Sequence, residues 1–214
     1  MTCKKRRTKM NNFIIGGLLA AAILLPSGLF AAQKTETATF AGGCFWCVQP
    51  VFDYLKGVKT NLAGYANGNG EHPTYEDYME KDYVEAVQVT FDPDEISYEK
   101  ILETFWMQID PTDSGGQFVD RGPQYRPAIF FHNEKQKKAA LAYIASMAKS
   151  GKYDKPIRVE VSAYKNFFKA EDYHQEYHNK SPMNYSIYRM GSGRDVYIKK
   201  IWGDKSKPPK TDAK

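Results

Sequence analysis

Two cysteines lie close together in the segment Gly42-Gly43-Cys44-Phe45-Trp46-Cys47, directly after the apolar run Thr37–Ala41. A glycine pair between an apolar run and a helical pattern indicates a strand-to-helix junction. Cys44 would then lie at the first turn of the helix, where free N–H groups and the positive end of the helix dipole favour a thiolate. A thiol in that position can have a pKa well below its ordinary value. The segment therefore predicts a nucleophilic or redox-active cysteine.

Cysteine usage leaves two interpretations of this pair. The chain has three cysteines, and Cys3 lies in a segment that we expect to be removed. A structural disulfide between Cys44 and Cys47 would close a loop of four residues, and so short a loop stabilises little on chain-entropy grounds. The other interpretation is a pair that cycles between thiols and disulfide, because residues three apart on a helical turn lie within disulfide reach.

The first 32 residues have the organisation of an export signal. Basic residues at positions 4, 5, 6, 7 and 9 precede an apolar stretch, Phe13–Leu25, and small residues follow Pro26. This order predicts a secretory signal peptide over residues 1–32. The stretch Phe13–Ala32 is also long enough to serve as an uncleaved membrane anchor. In either case we expect the body of the protein to be exported, either periplasmic or membrane-anchored on the extracytoplasmic face.

The net positive charge of the chain comes from its ends. The formal net charge is +5, and the first 32 residues carry five basic and no acidic side chains, which leaves the remainder near neutrality. The basic balance therefore belongs to the export signal and does not indicate a nucleic-acid partner. Residues 204–214 are predicted to be a basic disordered tail. Residues 33–203 then form one domain, long enough for a substantial core.

Apolar periodicity and capping residues predict alternating strands and helices. The predicted strands are Thr37–Ala41, Val58–Tyr65, Tyr83–Phe91, Pro127–Phe131 and Ile157–Ala163. The predicted helices run through Val48 and Leu55 to Gly57, with an irregular start at Pro50, then from Ser97 through Trp106, over Glu134–Lys149 behind Asn133, and over Glu171–His178. Residues 110–124 are predicted to be a loop. Strands interleaved with helices in one domain predict an α/β or α+β sandwich.

A series of short strings, in order along the chain, carries a resemblance to a known family. They are Ala41-Gly42-Gly43-Cys44-Phe45-Trp46, Ala63-Gly64-Tyr65, Pro73-Thr74-Tyr75-Glu76, Glu85-Ala86-Val87-Gln88-Val89, Phe91-Asp92-Pro93, Asp110-Pro111-Thr112, Asp120-Arg121-Gly122, Gln124-Tyr125-Arg126 and Ala170-Glu171-Asp172-Tyr173-His174-Gln175. Over roughly Ala38–Trp202 the chain resembles peptide methionine sulfoxide reductase type A. The resemblance implies an α/β fold, namely an α+β two-layer sandwich with a ferredoxin-like core, a mixed sheet and extensive coil. It also implies reduction of the S epimer of methionine sulfoxide, in oxidised proteins and peptides and in the free amino acid, without a bound cofactor.

The resemblance assigns the chemistry to Cys44 and Glu85. Cys44 matches the nucleophile that attacks the sulfoxide sulfur. The sulfoxide oxygen is a poor leaving group until it is protonated, and Glu85 matches the acid that protonates it. Glu85 lies in a predicted strand of otherwise apolar and aromatic residues, where burial would raise the pKa of its carboxyl group. Without the resemblance, a surface-facing strand glutamate is the plainer interpretation.

Further positions match the family's substrate site. Tyr75 and Tyr125 match hydroxyl groups that hydrogen-bond the sulfoxide oxygen and stabilise charge as the S–O bond breaks. Asp120 matches a polar residue that organises water and the thiolate. Phe45 and Trp46 match the pocket that takes the S-methyl group of the substrate through aromatic–sulfur contact. Taken singly, such tyrosines more often pack over a core with their hydroxyl groups in water.

Cys47 departs from the commonest family pattern. Many members have glycine at this position and keep resolving cysteines near the C-terminus, whereas this chain has no cysteine after Cys47. The resemblance therefore implies either a Cys44–Cys47 disulfide formed from a Cys44 sulfenic acid, or direct reduction of that acid by an external thiol. An external thioredoxin-like dithiol would then reduce the disulfide and regenerate the two thiols. We expect a monomer.

Two other functions use the same residue types. An exported thioredoxin-like oxidoreductase also has two cysteines three apart, but Trp46 lies between the cysteines here and not before the first. A metal-binding module is the second rival, since Cys44 and Cys47, and likewise His174 and His178, have zinc-ligand spacings. The long gap between the two pairs and the missing glutamate directly after His174 argue against it. We expect no metal, and histidines that lie partly exposed on a helix with local hydrogen bonds.

Overall fold

The computed structural model describes Met1, Thr2 and residues 34–203. Apart from its first two residues, the predicted signal segment at 1–32 lies outside this range, and so does the predicted basic tail at 204–214. Both therefore stay predictions. Within the described residues, no helix combines the length and the apolar character that crossing a membrane requires.

Strands and helices alternate along most of the described chain. The strands are Glu36–Ala41 (β1), Val58–Ala66 (β2), Val84–Phe91 (β3), Gly116–Gln117 (β4), Asp120–Arg121 (β5), Ala128–Phe131 (β6), Glu160–Ala163 (β7) and Phe167–Lys169 (β8). The α-helices are Phe45–Val48 (α1), Tyr98–Trp106 (α2), Glu134–Ala148 (α3), Tyr177–Lys180 (α4), Pro182–Gly191 (α5) and Arg194–Trp202 (α6), with 3₁₀ turns at Gln49–Phe52 and Pro123–Tyr125.

Six strands form one sheet in the order β7-β6-β1-β3-β2-β8. Neighbouring strands are antiparallel except β6 and β7, which are parallel. The units β1, α1, β2, β3, α2 and β6 follow one another in this order along the chain, and their strands lie in the order β6-β1-β3-β2, which is the ferredoxin-like arrangement. The predicted two-layer fold with a mixed sheet is therefore confirmed.

The core forms between this sheet and the helices. Phe40 on β1 stacks on Phe105 of α2 with ring centroids 4.6 Å apart, and both side chains are fully buried. Side chains alternate between the two faces of a strand, so Glu85 of β3 points to the same face as Val87 and Val89, which belong to this main core. Strand β3 therefore places the Glu85 carboxyl group on the face of the sheet that packs against the helices.

The predicted helix caps are confirmed. Ser97 accepts a hydrogen bond from the backbone N–H of Lys100 at the start of α2, and Asn133 accepts one from Gln136 at the start of α3. These bonds satisfy N–H groups that have no partner within the helix. Both helices end within one residue of the predicted ends.

The helix predicted to run to Gly57 is only one α-helical turn followed by a 3₁₀ turn. Pro50 lies within that 3₁₀ turn, and proline lacks the N–H group that would continue the α-helical hydrogen bonds. The segment predicted as an irregular start is in effect the whole helix. Cys44 consequently lies before a short helix, whose dipole is correspondingly weak.

The predictions are least accurate after residue 163. The predicted helix Glu171–His178 is wrong, because the chain makes turns up to Glu176, which has a positive φ of 51°, and α4 begins only at Tyr177. Strand β8 and helices α5 and α6 were not predicted. In α5 no residue is buried within the described structure, and its apolar side chains Met183, Ile187 and Met190 are exposed.

Candidate active site

The two glycines before Cys44 allow the chain to turn from β1 into α1. Gly43 has a φ of +80°, and a Cβ atom at this position would lie 2.6 Å from Cβ of Gln117 and 2.9 Å from Nη2 of Arg194. A Cβ atom at Gly42 would lie 2.9 Å from the ring of Phe105. Only residues without a side chain fit between the sheet, α2 and α6 at this turn.

Cys44 and Cys47 face each other across this turn. Cys44 is the N-cap residue of α1, as the sequence predicted, and its carbonyl oxygen accepts a hydrogen bond from the N–H of Cys47 at 3.0 Å. Both residues are free thiols; Cys44 is 7% exposed and Cys47 is fully buried. Their side chains hydrogen-bond each other, which brings both sulfur atoms into one site.

The acidities of the two thiols differ from the sequence-based expectation. Burial raises the pKa of Cys44 well above its ordinary value, with further contributions from the Cys47 and Glu85 side chains. The expected low pKa of Cys44 is therefore wrong for the substrate-free protein, because desolvation outweighs a four-residue helix. The pKa of Cys47 is lowered to about 7, chiefly by the hydrogen bond from Cys44 and also by Arg194 and Arg189, against the effect of burial.

Glu85 lies beside Cys44 and is shielded from water. Its side chain is 2% exposed; Oε2 accepts a hydrogen bond from the N–H of Phe45 at 3.0 Å, and Oε1 accepts one from the hydroxyl group of Tyr78 at 3.2 Å. Burial raises the pKa of Glu85 to about 8, although both hydrogen bonds act in the opposite direction. At neutral pH the carboxyl group therefore holds a proton next to Cys44, and the expected burial of this residue is confirmed.

Three tyrosines surround the carboxyl group. Tyr78 hydrogen-bonds both Glu85 and Tyr125, and the pKa of each tyrosine is raised by burial and by the nearby Glu85. Tyr75 is 41% exposed, and burial, Glu85 and Cys44 raise its pKa. The structure thus brings together the predicted Tyr75 and Tyr125 at one edge of the site. Tyr78 was not among the predicted site residues.

Asp120 approaches Cys44 from the opposite side, on the short strand β5. Its Oδ1 atom accepts a hydrogen bond from the hydroxyl group of Tyr188 at 2.6 Å. Burial raises the pKa of Asp120, whereas Tyr188, Arg194 and the N–H of Cys44 lower it. The Tyr188 hydroxyl group also hydrogen-bonds the thiol of Cys44 and lowers its pKa. Asp120 therefore contacts the backbone N–H of Cys44 directly and its thiol through Tyr188, a residue that sequence reasoning missed.

Trp46 forms an aromatic wall that residues far along the chain hold in place. Its Nε1–H donates to Nδ1 of His174 at 3.0 Å, its ring stacks on Tyr177 at 3.8 Å, and Tyr188 meets it edge-on at 5.8 Å. The ring of Phe45 lies 4.9 Å from His174. Phe45 is buried and Trp46 is partly exposed, and their role as a pocket for the S-methyl group stays a prediction.

Only one of the two histidines lies as predicted: His178 is partly exposed on helix α4, whereas His174 is buried outside a helix. His174 is 2% exposed, lies in a turn before α4, and has a pKa lowered by burial. Because its Nδ1 accepts from Trp46, the neutral ring carries its proton on Nε2. His178 pairs with Asp53 at 2.8 Å. Within the described ranges, no group of three or more His, Cys, Asp and Glu side chains is arranged to hold a metal ion.

Two arginines hydrogen-bond the backbone around the two cysteines. Arg189 of α5 donates to the carbonyl oxygen of Cys47 at 2.8 Å, and Arg194 of α6 donates to the carbonyl oxygen of Gly42 at 3.1 Å. Sequence reasoning missed both, because arginine side chains are usually solvated and seldom fully buried. A weak sequence signal was the pair Gly191 and Gly193 just before Arg194, which indicates a tight turn.

Comparison with known proteins places this geometry in a family. Residues 36–206 match the family model described as "Peptide methionine sulfoxide reductase". The chain belongs to this family. The reductase is 50% identical to the peptide methionine sulfoxide reductase MsrA of Bacillus licheniformis over 176 residues, which cover 81% of this chain and 97% of that protein. It is 49% identical to the MsrA of Bacillus subtilis over 81% of this chain and 99% of that protein.

Solved structures agree with the sequence relatives. Reduced Mxr1 from Saccharomyces cerevisiae superposes with a TM-score of 0.64 and 31% identity, over 70% of this chain and 87% of that chain. The methionine sulfoxide reductase A of Corynebacterium diphtheriae superposes with a TM-score of 0.63 and 27% identity, over 72% of this chain and 78% of that chain. The reductase is therefore an oxidoreductase of methionine sulfoxide that repairs proteins, and the thioredoxin-like alternative is not favoured.

Proposed function

We propose that the reductase acts on the S epimer of methionine sulfoxide, with Cys44 as nucleophile and Glu85 as acid. This proposal rests on the position of Glu85, which is buried and hydrogen-bonded to the N–H group of the residue directly after Cys44. An acid that keeps its proton at neutral pH beside a thiol is the arrangement that sulfoxide reduction needs. The S epimer is supported by the type A relatives, since each reductase class takes one epimer.

The proposed first step transfers oxygen from substrate to enzyme. The Cys44 thiolate attacks the sulfoxide sulfur while Glu85 protonates the oxygen, which gives a transient bond between the two sulfur atoms. The oxygen then passes to the Cys44 sulfur as the S–O and S–S bonds to the substrate sulfur break, so that methionine leaves and Cys44 becomes a sulfenic acid. The substrate sulfur gains two electrons, and the cysteine sulfur loses two. Tyr75 and Tyr125 lie where hydroxyl groups can stabilise the oxygen as charge develops. Tyr188 and Asp120 bear on the ionisation of Cys44.

The proposed second step resolves the sulfenic acid with Cys47. The two side chains already hydrogen-bond each other, so a Cys44–Cys47 disulfide forms without a distant cysteine. An external dithiol of the thioredoxin type then reduces this disulfide by exchange. Substrates are methionine sulfoxide residues in oxidised proteins and peptides and the free amino acid, which reach the site at the edge where Tyr75 is exposed.

The proposed location is outside the cytoplasmic membrane. It is supported by the basic and apolar organisation of residues 1–32, either as a cleaved signal peptide or as an anchor. An extracytoplasmic reductase would take electrons from a dithiol donor on that side of the membrane. We propose that it works as a monomer.

The deciding experiment is a turnover assay with dithiothreitol on the separate S and R epimers of a methionine sulfoxide peptide. We expect reduction of the S epimer only, and none by a Cys44→Ser variant of the same chain. Reduction of the R epimer would contradict the epimer assignment, and activity of Cys44→Ser would contradict the nucleophile. Loss of epimer reduction with retained disulfide exchange on an unrelated protein would favour the thioredoxin-like function.

A further inference from the structure

We propose that Arg189, together with Arg194, keeps Cys47 as the attacking thiolate when the Cys44 sulfenic acid is resolved. This inference rests on the resolving role of Cys47 proposed above. Both arginines are positioning residues, because they act through Cys47. They come from helices α5 and α6, the two helices that the sequence did not predict.

Arg189 hydrogen-bonds directly to the backbone of Cys47, the proposed resolving cysteine. Its Nη1 donates to the carbonyl oxygen of Cys47 at 2.8 Å, and its Nη2 donates to Oε1 of Gln108 at 3.1 Å. Its Nε and Nη2 donate to Oδ1 of Asp195 at 2.9 and 2.7 Å. The Arg189 side chain is 14% exposed, whereas that of Asp195 is 58% exposed. Water therefore screens the carboxylate more than it screens the guanidinium charge near the thiol.

Arg194 brings a second positive charge, which interacts with the carboxylate of Asp120 without forming an ion pair with it in the described structure. It is fully buried, and its guanidinium donates to the carbonyl oxygens of Gly42 and Gln108. Its other face lies 4.6 Å from the ring centre of Phe118. Among residues 34–203, no Asp or Glu oxygen lies within ion-pair distance of it. A buried cation of this kind is costly unless an anion lies nearby.

The charged and titratable groups that face Cys47 favour the thiolate on balance. Cys44 donates a hydrogen bond from α1, Arg189 and Arg194 act from α5 and α6, and Tyr185 of α5 also lies near. Asp120 from β5 and Glu85 from β3 act in the opposite direction. Glu85 is protonated at neutral pH, so its effect is small there. The effect is reciprocal, because the Cys47 charge raises the pKa of Arg189.

A thiolate is what the resolving step requires. The Cys47 thiolate attacks the sulfur of the Cys44 sulfenic acid, an S–S bond forms, and the S–O bond breaks. Hydroxide leaves and takes a proton to become water. Cys44 sulfur is reduced as Cys47 sulfur is oxidised, so no further oxidant is needed.

The test is the pH dependence of this step in the full chain carrying Cys3→Ser, so that Cys44 and Cys47 are its only thiols. The protein is mixed with methionine sulfoxide without reductant, quenched, and assayed by mass spectrometry for the Cys44–Cys47 disulfide. Arg189→Met removes the charge at similar length. The exposed Arg158→Met makes the same charge change away from the site and is the matched control.

Loss of one nearby charge is expected to raise the midpoint pH of disulfide formation by about one unit. Below the midpoint the thiolate fraction falls tenfold per unit, but a more basic thiolate is about threefold more nucleophilic. Arg189→Met should therefore form the disulfide about threefold more slowly at low pH and up to about threefold faster at high pH. A purely structural defect would slow the step at every pH and give no such crossing.

Two further variants sharpen the result. Arg189→Lys keeps the charge and should restore the wild-type midpoint in part. Asp195→Asn removes the partly exposed carboxylate beside Arg189 and should move the midpoint downward. An unchanged midpoint in Arg189→Met, or a shift equal to that of Arg158→Met, would overturn the inference. Absence of the intramolecular disulfide in the parent chain would instead contradict the proposed role of Cys47.

Discussion

The sheet region and the C-terminal cover of this reductase are held together by different forces. In the sheet region, residues 36–106, β1, β3 and α2 bury a continuous apolar core that includes Phe40, Val87 and Phe105. The C-terminal cover, residues 171–202, buries few apolar side chains: none in α5 and only Ile198 in α6, within the described structure. It is attached through polar contacts made by individual side chains.

Those polar contacts connect the cover to the active-site turn. Gln175 accepts from the N–H of Ala63 and donates to the carbonyl oxygens of Ala63 and Ala170. His174 holds Trp46, and Arg189 holds Cys47. Apolar burial is non-directional, whereas hydrogen bonds fix distance and angle. The comparison shows that the core provides most of the stability and the cover orients the reacting groups.

The largest expected effect is a loss of turnover on replacing Glu85, a residue of the sheet region. Glu85→Gln keeps the shape of the side chain but removes the proton donor, so turnover of methionine sulfoxide should fall about 10²–10⁴-fold. The wild-type acid step should weaken as pH rises through about 8, where Glu85 loses its proton. Steady-state turnover between pH 6 and 9 measures both effects; full activity of Glu85→Gln would exclude Glu85 as the acid.

The same variant also tests whether burial of the Glu85 carboxyl group makes the free energy of unfolding depend on pH. The folded pKa of Glu85 lies above its unfolded value, so the folded state binds more protons and its stability falls as pH rises between 4.5 and about 8. The expected slope is about 1.4 kcal/mol per pH unit. Glu85→Gln lacks this dependence, and its stability relative to wild type should increase over that range. Urea unfolding at several pH values would show parallel curves if the carboxyl group were not buried.

Apolar packing in the sheet region should give the next largest effect. Phe105→Ala removes a fully buried ring that stacks on Phe40, and we expect a loss of about 3–5 kcal/mol in the free energy of unfolding. Leu141→Ala, at a side chain that is 49% exposed, should change it by less than about 1 kcal/mol. Equal losses in the two variants would contradict the placement of the core.

Loss of a polar anchor in the cover should have a smaller and more local effect. Gln175→Leu leaves the N–H of Ala63 without its partner and should cost about 1–3 kcal/mol. Hydrogen exchange should then speed up in α5 and α6 but not in β1 and β3. Gln88→Leu, which removes one side-chain bond to Thr39, is the control. Uniform loss of protection along the chain would mean that the cover and the core unfold as one unit.

Matched serine substitutions at two helix starts give the smallest expected effect. Ser97 caps α2 through its side chain, whereas Ser181 before α5 makes no such capping bond in the described structure. Ser97→Ala should therefore cost about 1 kcal/mol, and Ser181→Ala less than about 0.5 kcal/mol. Thermal unfolding of the two variants measures the difference, and a larger effect at Ser181 would reverse the comparison of the two regions.

Accuracy of the sequence-based predictions follows the same division. Strands β1 and β3 were predicted because apolar residues recur with the strand period, and α2 and α3 because Ser97 and Asn133 mark their starts. The cover was not predicted because its contacts are polar and distant; Trp46 and His174, for example, are 128 residues apart in sequence. No local pattern records such a pair.

The sequence by itself determined the core strands, the capped helices and the turn that presents Cys44, since these depend on residues close together in the chain. Through its resemblance to known reductases it also indicated Glu85, Tyr75 and Tyr125. Only the tertiary structure decided the acidities of Cys44 and Cys47. Those depend on burial and on charges that α5 and α6 bring from the far end of the chain, because electrostatic effects act through space and desolvation depends on the whole fold.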